Sequence, residues 1–122
     1  AVAPQRVFVY GTLKRGLTNH HLLLTARFEG EAMMEGIRLF DLGPYPMAIS
    51  QPGLVHGEVY LVDGPLLANL DRLEGVPRLY RREQRPLADG RMAWVYLGEQ
   101  RQVRHVRDLP GGRWPQQANT VV

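Results

Sequence analysis

The stretch RVFVYGTLKRG, Arg6–Gly16, decides how the rest of the chain is read. Arg6 to Tyr10 is a β-branched and aromatic run that halts at Gly11, and it predicts a buried first strand. The loop that follows is bounded by Gly11 and Gly16. A strand ending in glycine lets the backbone turn sharply and aim successive N–H groups at one point. Such a nest suits a carboxylate or a developing oxyanion. On spacing alone, an ordinary strand and loop explains the same residues.

Working outward, Asn19 is placed to cap a short helix through His20–Ala26, its side-chain oxygen accepting from the first turn. Residues 28–36 and 37–42 read as two strands, followed by a stiff corner at Gly43-Pro44-Tyr45-Pro46 that leads into Met47–Ile49. Gln51-Pro52-Gly53 predicts a turn. Val55–Val62 predicts another strand, with Gly57 a candidate bulge. Asp63 caps a helix with Pro65 in its first turn, and Gly75 stops it. Tyr80–Leu87 and Met92–Leu97 pair as a hairpin across Ala88-Asp89-Gly90. Beyond Gly98 the chain turns polar, Pro110-Gly111-Gly112 excludes a long last helix, and residues 116–122 are expected to fray. Many strands with two short helices and local turns make an α+β domain, a small mixed sheet curled into a barrel. The whole of 1–122 is expected to form one domain, with its core at about 6–98 and a tail at 99–122.

The second helix carries an anomaly. At 100° steps, Leu66, Leu67, Leu70 and Leu73 share a stripe roughly 120° wide, and Glu74 projects inside it. The pattern that buries the leucines thus directs a carboxylate toward the core. Burial and the unsatisfied carbonyls of a helix C-terminus both disfavour the ionised form, so its pKa should rise toward that of a general acid or base. The helical pattern leaves a second reading open, in which Glu74 leaves the frayed last turn and pairs with Arg78 or Arg81.

Composition bounds the rest. A chain of 122 residues, 44% hydrophobic and 22% charged, fits one soluble globular domain. The absence of cysteine removes disulfides, thiolate nucleophiles and cysteine-held metals. His20, His21, His56 and His105 show no ligand spacing, so no metal is expected. His20 and His21 read as solvated, and His56 as structural. Tyr45, Tyr60, Tyr80 and Tyr96 read as half-buried strand residues with surface hydroxyls. The net charge is +3, and Lys14 is the sole lysine. The bases are spread, with mild clusters at Arg78-Arg81-Arg82-Arg85 and Arg101-Arg104-Arg107, so no nucleic-acid partner is expected. No apolar run spans a bilayer and the first residues lack a secretory pattern, which makes the cytoplasm the expected address and excludes a membrane partner.

Several blocks in order carry a resemblance: VFVYGTLKRG with Asn19-His20 close behind, LFDLGPYP at 39–46, Gly57-Glu58-Val59-Tyr60, and LDRLEG at 70–75 followed by Tyr80-Arg81-Arg82. Over about Arg6–Gly98 the chain resembles the γ-glutamylcyclotransferase-like superfamily, in its AIG2-like, γ-glutamylamine cyclotransferase branch. The resemblance implies a β-barrel flanked by short helices with a pocket at its mouth. It implies that Tyr10, Gly11, Thr12 and Leu13 hold a γ-glutamyl group, largely through the backbone, and that Glu74 is the catalytic acid/base. Some relatives lack that glutamate; this chain keeps it. By partial match, Tyr45, Tyr80 and Tyr96 line the pocket. The implied reaction needs no cofactor: the α-amine of a γ-glutamyl amide attacks its own γ-carbonyl, releasing 5-oxoproline and an amine. Two other functions stay open, a non-catalytic small-molecule binder of the same fold and a basic interaction module along Arg78–Arg85. The leaving group (lysine ε-amine, amino acid, cysteinylglycine or another amine) and the oligomeric state are not specified by the sequence.

Overall fold

Strand β1, Gln5–Val9, runs down the middle of the sheet, and Val7, Phe8 and Val9 are all buried because both of its faces are covered. Val7 and Val9 face one apolar cluster, with Leu66, Leu67 and Leu70. Phe8, and Tyr10 just beyond the strand, face a second, with Met34, Ile37, Leu39, Val95 and Leu97. Strict alternation along one strand thus serves two cores.

The computed structural model describes residues 3–116. A 3₁₀ turn at His20–Leu23 follows β1, then β2 (Arg27–Asp41), β3 (Pro46–Val62), helix α1 (Gly64–Leu73), β4 (Arg81–Pro86), β5 (Met92–Leu97) and a second 3₁₀ turn at Gln100–Val103. The five strands form one sheet in the order β2-β3-β1-β5-β4. Strand β1 is antiparallel to β3 and parallel to β5, so the sheet is mixed.

This α+β sheet is not a barrel. Its edges β2 and β4 share no ladder; they approach through the Arg85 guanidinium donating to the Gly36 carbonyl at 3.4 Å, and just past β4 the Ala88 N–H donates to the Met33 carbonyl of β2 at 2.7 Å. Leu87 from the β4–β5 turn and Leu109 and Trp114 from the tail fill the inside of the curl that a closing ladder would have covered.

Two stretches predicted to be broken are continuous. The two strands expected over 28–42 are one strand, β2 (Arg27–Asp41), whose register against β3 slips between Phe28 and Gly30 and between Glu35 and Ile37. At the second slip Gln51-Pro52-Gly53 lies opposite Gly36, so Pro52 interrupts no regular pairing and the expected turn is absent. Gly57 is not a bulge: it pairs in register with Ala32, and a Cβ there would strike Phe8. The short helix after Asn19 is a single 3₁₀ turn, and Asn19 makes no side-chain cap. Helix α1 starts as expected, with Asp63 Oδ1 accepting from the Leu66 N–H at 2.8 Å and Pro65 in the first turn.

The polar tail also packs on the domain. The Leu109 N–H donates to the Leu39 carbonyl and the His56 N–H to that of Gly112, both at 2.8 Å. Of the segment expected to fray, residues 117–122 lie outside the described residues.

Candidate active site

A cavity of about 400 Å³ opens where the end of β1 meets the end of α1. Pockets that hold small molecules start near that size. It is lined by Tyr10, Gly11, Thr12 and Leu13, by the Pro44–Pro46 corner, by Leu73 and Glu74, and by Leu79, Tyr80 and Tyr96. Every residue singled out from the sequence as catalytic or substrate-binding therefore meets at one place.

The loop wall is built from the strand stop. Gly11 sits against Pro46, and a Cβ added to it would lie 2.9 Å from the proline ring. The requirement for glycine here is this close approach. The loop is then tied from behind. Asn19 donates from its backbone to the Thr12 carbonyl and from Nδ2 to Thr12 Oγ1, both at 2.9 Å. His20 Nδ1 lies 3.0 Å from the Leu13 carbonyl, a bond that requires the proton on Nδ1. Asn19, expected to cap a helix, braces the loop instead, and His20 is part of the same scaffold. Among the described residues, the N–H groups of Gly11, Thr12 and Leu13 donate to no protein acceptor. Successive N–H groups without a protein acceptor are the kind of donor set that can receive an anion.

Glu74 lines the same cavity. Its N–H still donates to the Leu70 carbonyl at 2.9 Å and its backbone is helical, so it has not left the last turn. Gly75, with φ of 65°, stops the helix one residue later. Among the described residues, the Glu74 carboxylate makes no ion pair. Arg81 instead pairs with Glu83 at 2.5 Å and reaches the Gly98 carbonyl. Burial alone pushes the Glu74 carboxyl up to about 7. The expected leucine stripe holds for Leu66, Leu67 and Leu70, but Leu73 is 39% exposed because it belongs to the cavity rim, with Leu79 beside it.

The tyrosines depart from the surface placement expected of them. Tyr60, Tyr80 and Tyr96 are buried, and so is Tyr10. The Tyr10 hydroxyl donates to the Tyr96 carbonyl at 2.6 Å and accepts from the Ala48 N–H at 3.1 Å. Tyr80 donates to the Pro46 carbonyl at 2.6 Å, and Tyr96 to Asp71 Oδ1 at 2.8 Å. Burial is the main cause holding all three phenols far above their ordinary range, and the Glu74 charge adds to it. Their protons are committed inside the protein, so Tyr10, Tyr80 and Tyr96 are neutral walls around Glu74. Tyr45 packs against Tyr80 with ring centres 6.5 Å apart.

Sequence reasoning passed over the supports. Asp71 takes the Tyr96 hydroxyl and pairs with Arg82 at 3.2 Å, and Arg82 lies over the Trp94 ring at 4.2 Å. These partners are far apart in the chain, and no local pattern signals them. Three of the four arginines of the supposed basic edge are paired, Arg82 with Asp71 and both Arg81 and Arg85 with the single Glu83, which halves the charge of that edge.

Comparison with known proteins follows the same lines. Residues 7–116 match the family described as "Gamma-glutamyl cyclotransferase, AIG2-like". The "Gamma-glutamylcyclotransferase family protein YtfP" of Escherichia coli is 37% identical over 111 residues, covering 89% of this chain and 95% of that protein. The "Gamma-glutamylaminecyclotransferase" of Bos taurus is 43% identical over 89 residues, covering 62% of this chain and 52% of that one. The crystal structure of an AIG2-like protein from Mus musculus superposes with a TM-score of 0.80 at 27% identity, covering 97% of this chain and 99% of that chain. With a family match over nearly the whole chain and relatives of this similarity, the chain belongs to the γ-glutamyl cyclotransferase, AIG2-like family of enzymes.

Proposed function

We propose that the protein cleaves γ-glutamyl amides, γ-glutamylamines or γ-glutamyl amino acids, by internal cyclisation, with Glu74 as the acid/base. The observation that carries this reading is the meeting of two elements at one cavity. One is a carboxylate raised to about 7 and the other a loop of three successive backbone N–H groups, and among the described residues the first has no ion pair and the second no protein acceptor. The name of the bovine relative supports the γ-glutamylamine side of the substrate range.

The chemistry follows from those parts. Glu74 accepts a proton from the substrate's α-ammonium, leaving a free amine. That nitrogen attacks the γ-carbonyl carbon and closes a five-membered ring, with the N–H groups of the Gly11–Leu13 loop positioned for the charge that develops on oxygen. The γ-amide C–N bond breaks as the departing nitrogen gains that proton from Glu74, and the ring nitrogen gives up its extra one, which Glu74 passes to the released amine so that it leaves as its ammonium. Glu74 moves both protons and ends as it began. The products are 5-oxoproline and an amine. The nucleophile belongs to the substrate, so the protein supplies folding of the chain, proton transfer and oxyanion stabilisation. A carboxyl near 7 suits both directions of transfer at neutral pH.

The test is a screen of γ-glutamyl amides with mass-spectrometric detection of 5-oxoproline. The expected result is release from at least one member, lost in Glu74→Gln. Binding of γ-glutamyl compounds without 5-oxoproline from any of them would favour a non-catalytic binder and overturn the reading.

A further inference from the structure

We infer that Glu58 is a positioning residue that sets the Gly11–Leu13 donors, acting from the sheet through Arg15; this rests on the loop's proposed role in holding the substrate. Glu58 is the one charged side chain buried among the described residues, at 8% exposure. A buried carboxylate is costly unless its oxygens are filled, and here three donors fill them. The Arg15 N–H donates to Oε1 at 2.9 Å, the Tyr60 hydroxyl to the same oxygen at 2.9 Å, and Arg15 Nε to Oε2 at 3.2 Å.

The placement gives this cluster its consequence. Glu58 on β3 is the register partner of Val9, the last residue of β1. Its carboxylate therefore stands level with the point where the chain leaves the sheet, and reaches the loop two residues past Leu13. The guanidinium it holds lies over the Phe28 ring at 4.2 Å, and the Tyr60 ring packs on both Phe28 and His20. His20 in turn meets the Leu13 carbonyl. The loop is thus held at Arg15 by Glu58, at Leu13 by His20 and at Thr12 by Asn19. Glu58 is the strut that ties it to the sheet. Glu58, Arg15, Tyr60 and Phe28 stand outside the lining of the cavity, so Glu58 acts through the loop and touches no substrate.

The test uses the intact protein, with L-5-oxoproline as binding probe and whichever γ-glutamyl amide is turned over as substrate. In Glu58→Ala, ¹⁵N order parameters of Gly11, Thr12 and Leu13 should drop, the dissociation constant for 5-oxoproline should rise about tenfold or more, and KM should rise more than kcat falls. Glu58→Gln keeps an acceptor for the Arg15 N–H and should recover affinity to within about threefold of wild type. A folded Glu58→Ala protein with unchanged loop order and unchanged KM would overturn the inference, as would a Gln variant no better than Ala. Should Glu58→Ala not fold, Arg15→Ala, on a half-exposed side chain, carries the test: a severalfold rise in KM supports the strut and no change contradicts it. The order parameters report on the strut even in a protein without turnover, so its failure and the failure of the cyclotransferase reading are told apart.

Discussion

Two glutamates sit on either side of the loop at the end of β1, and burial treats them oppositely. Glu74 has no donor among the described residues, and desolvation lifts its carboxyl to about 7. At Glu58 burial pushes the same way, but the Arg15 N–H, the Tyr60 hydroxyl and the Arg15 guanidinium outweigh it and hold the carboxyl below its ordinary range. The difference teaches that burial does not fix the state of a carboxylate; the donors supplied to it do. One glutamate is held charged by its donors, as the proposed strut requires, and the other is raised to about 7, as the proposed proton transfer requires.

The sharpest way to break this contrast is Glu74→Gln. It preserves shape but carries no proton, so kcat for 5-oxoproline release should fall by about 10² to 10⁴ with 5-oxoproline binding nearly retained. Full activity in this variant removes Glu74 from the mechanism. Next in size is Gly11→Val. A side chain meeting the Pro46 ring at 2.9 Å displaces the donor wall, and affinity for 5-oxoproline should drop roughly a hundredfold, about 3 kcal/mol. Unchanged affinity by calorimetry excludes the loop from the site.

Stability against pH sharpens the contrast with opposite signs. A carboxyl whose folded pKa is raised from 4.5 to about 7 costs stability as pH rises through that window, and the whole cost is present above it. Glu74→Gln should therefore stabilise the protein by about 1–3 kcal/mol at pH 8, and the gain should vanish toward pH 4. Glu58, with a lowered pKa, contributes stability above its unfolded value and loses it as pH falls through the folded one. Glu58→Gln should destabilise at pH 8 and less so in acid. Denaturant melts at the two pH values read both signs, and equal signs would contradict the contrast. The smallest effect belongs to Tyr96→Phe. Losing the bond to Asp71 should cost about 1 kcal/mol of stability and leave kcat within a few fold, because Asp71 keeps Arg82. A loss of kcat as large as that of Glu74→Gln would give this phenol a role in proton transfer.

The parts that were legible in the sequence are those set by neighbours in the chain. The run Val7–Val9, the Asp63 cap with Pro65, the buried leucines Leu66, Leu67 and Leu70 of α1 and the inward projection of Glu74 all follow from local sequence, and the structure keeps them. The long β2–β3 hairpin was hidden because Gly36 and Pro52-Gly53 carry turn signals. Their punctuation is absorbed by a register slip that only pairing across the sheet reveals. The barrel expectation failed for a related reason. Leu109 and Trp114 come from a stretch that looked polar and spare, yet they cover the inside of the curl. Within the site, the cavity residues were identified but the hydroxyl bonds of Tyr80 and Tyr96 were not. Their acceptors, Pro46 and Asp71, lie 34 and 25 residues away. Glu58 was read only as part of a strand motif, since Arg15 is 43 residues distant.

The central claim, that Glu74 is a carboxyl held near neutrality for proton transfer, is tested most directly by an NMR titration of its side-chain ¹³C carboxyl resonance, assigned by its disappearance in Glu74→Gln. A midpoint close to 7 is the predicted result. A midpoint at the ordinary glutamate value, near 4.5, would contradict it.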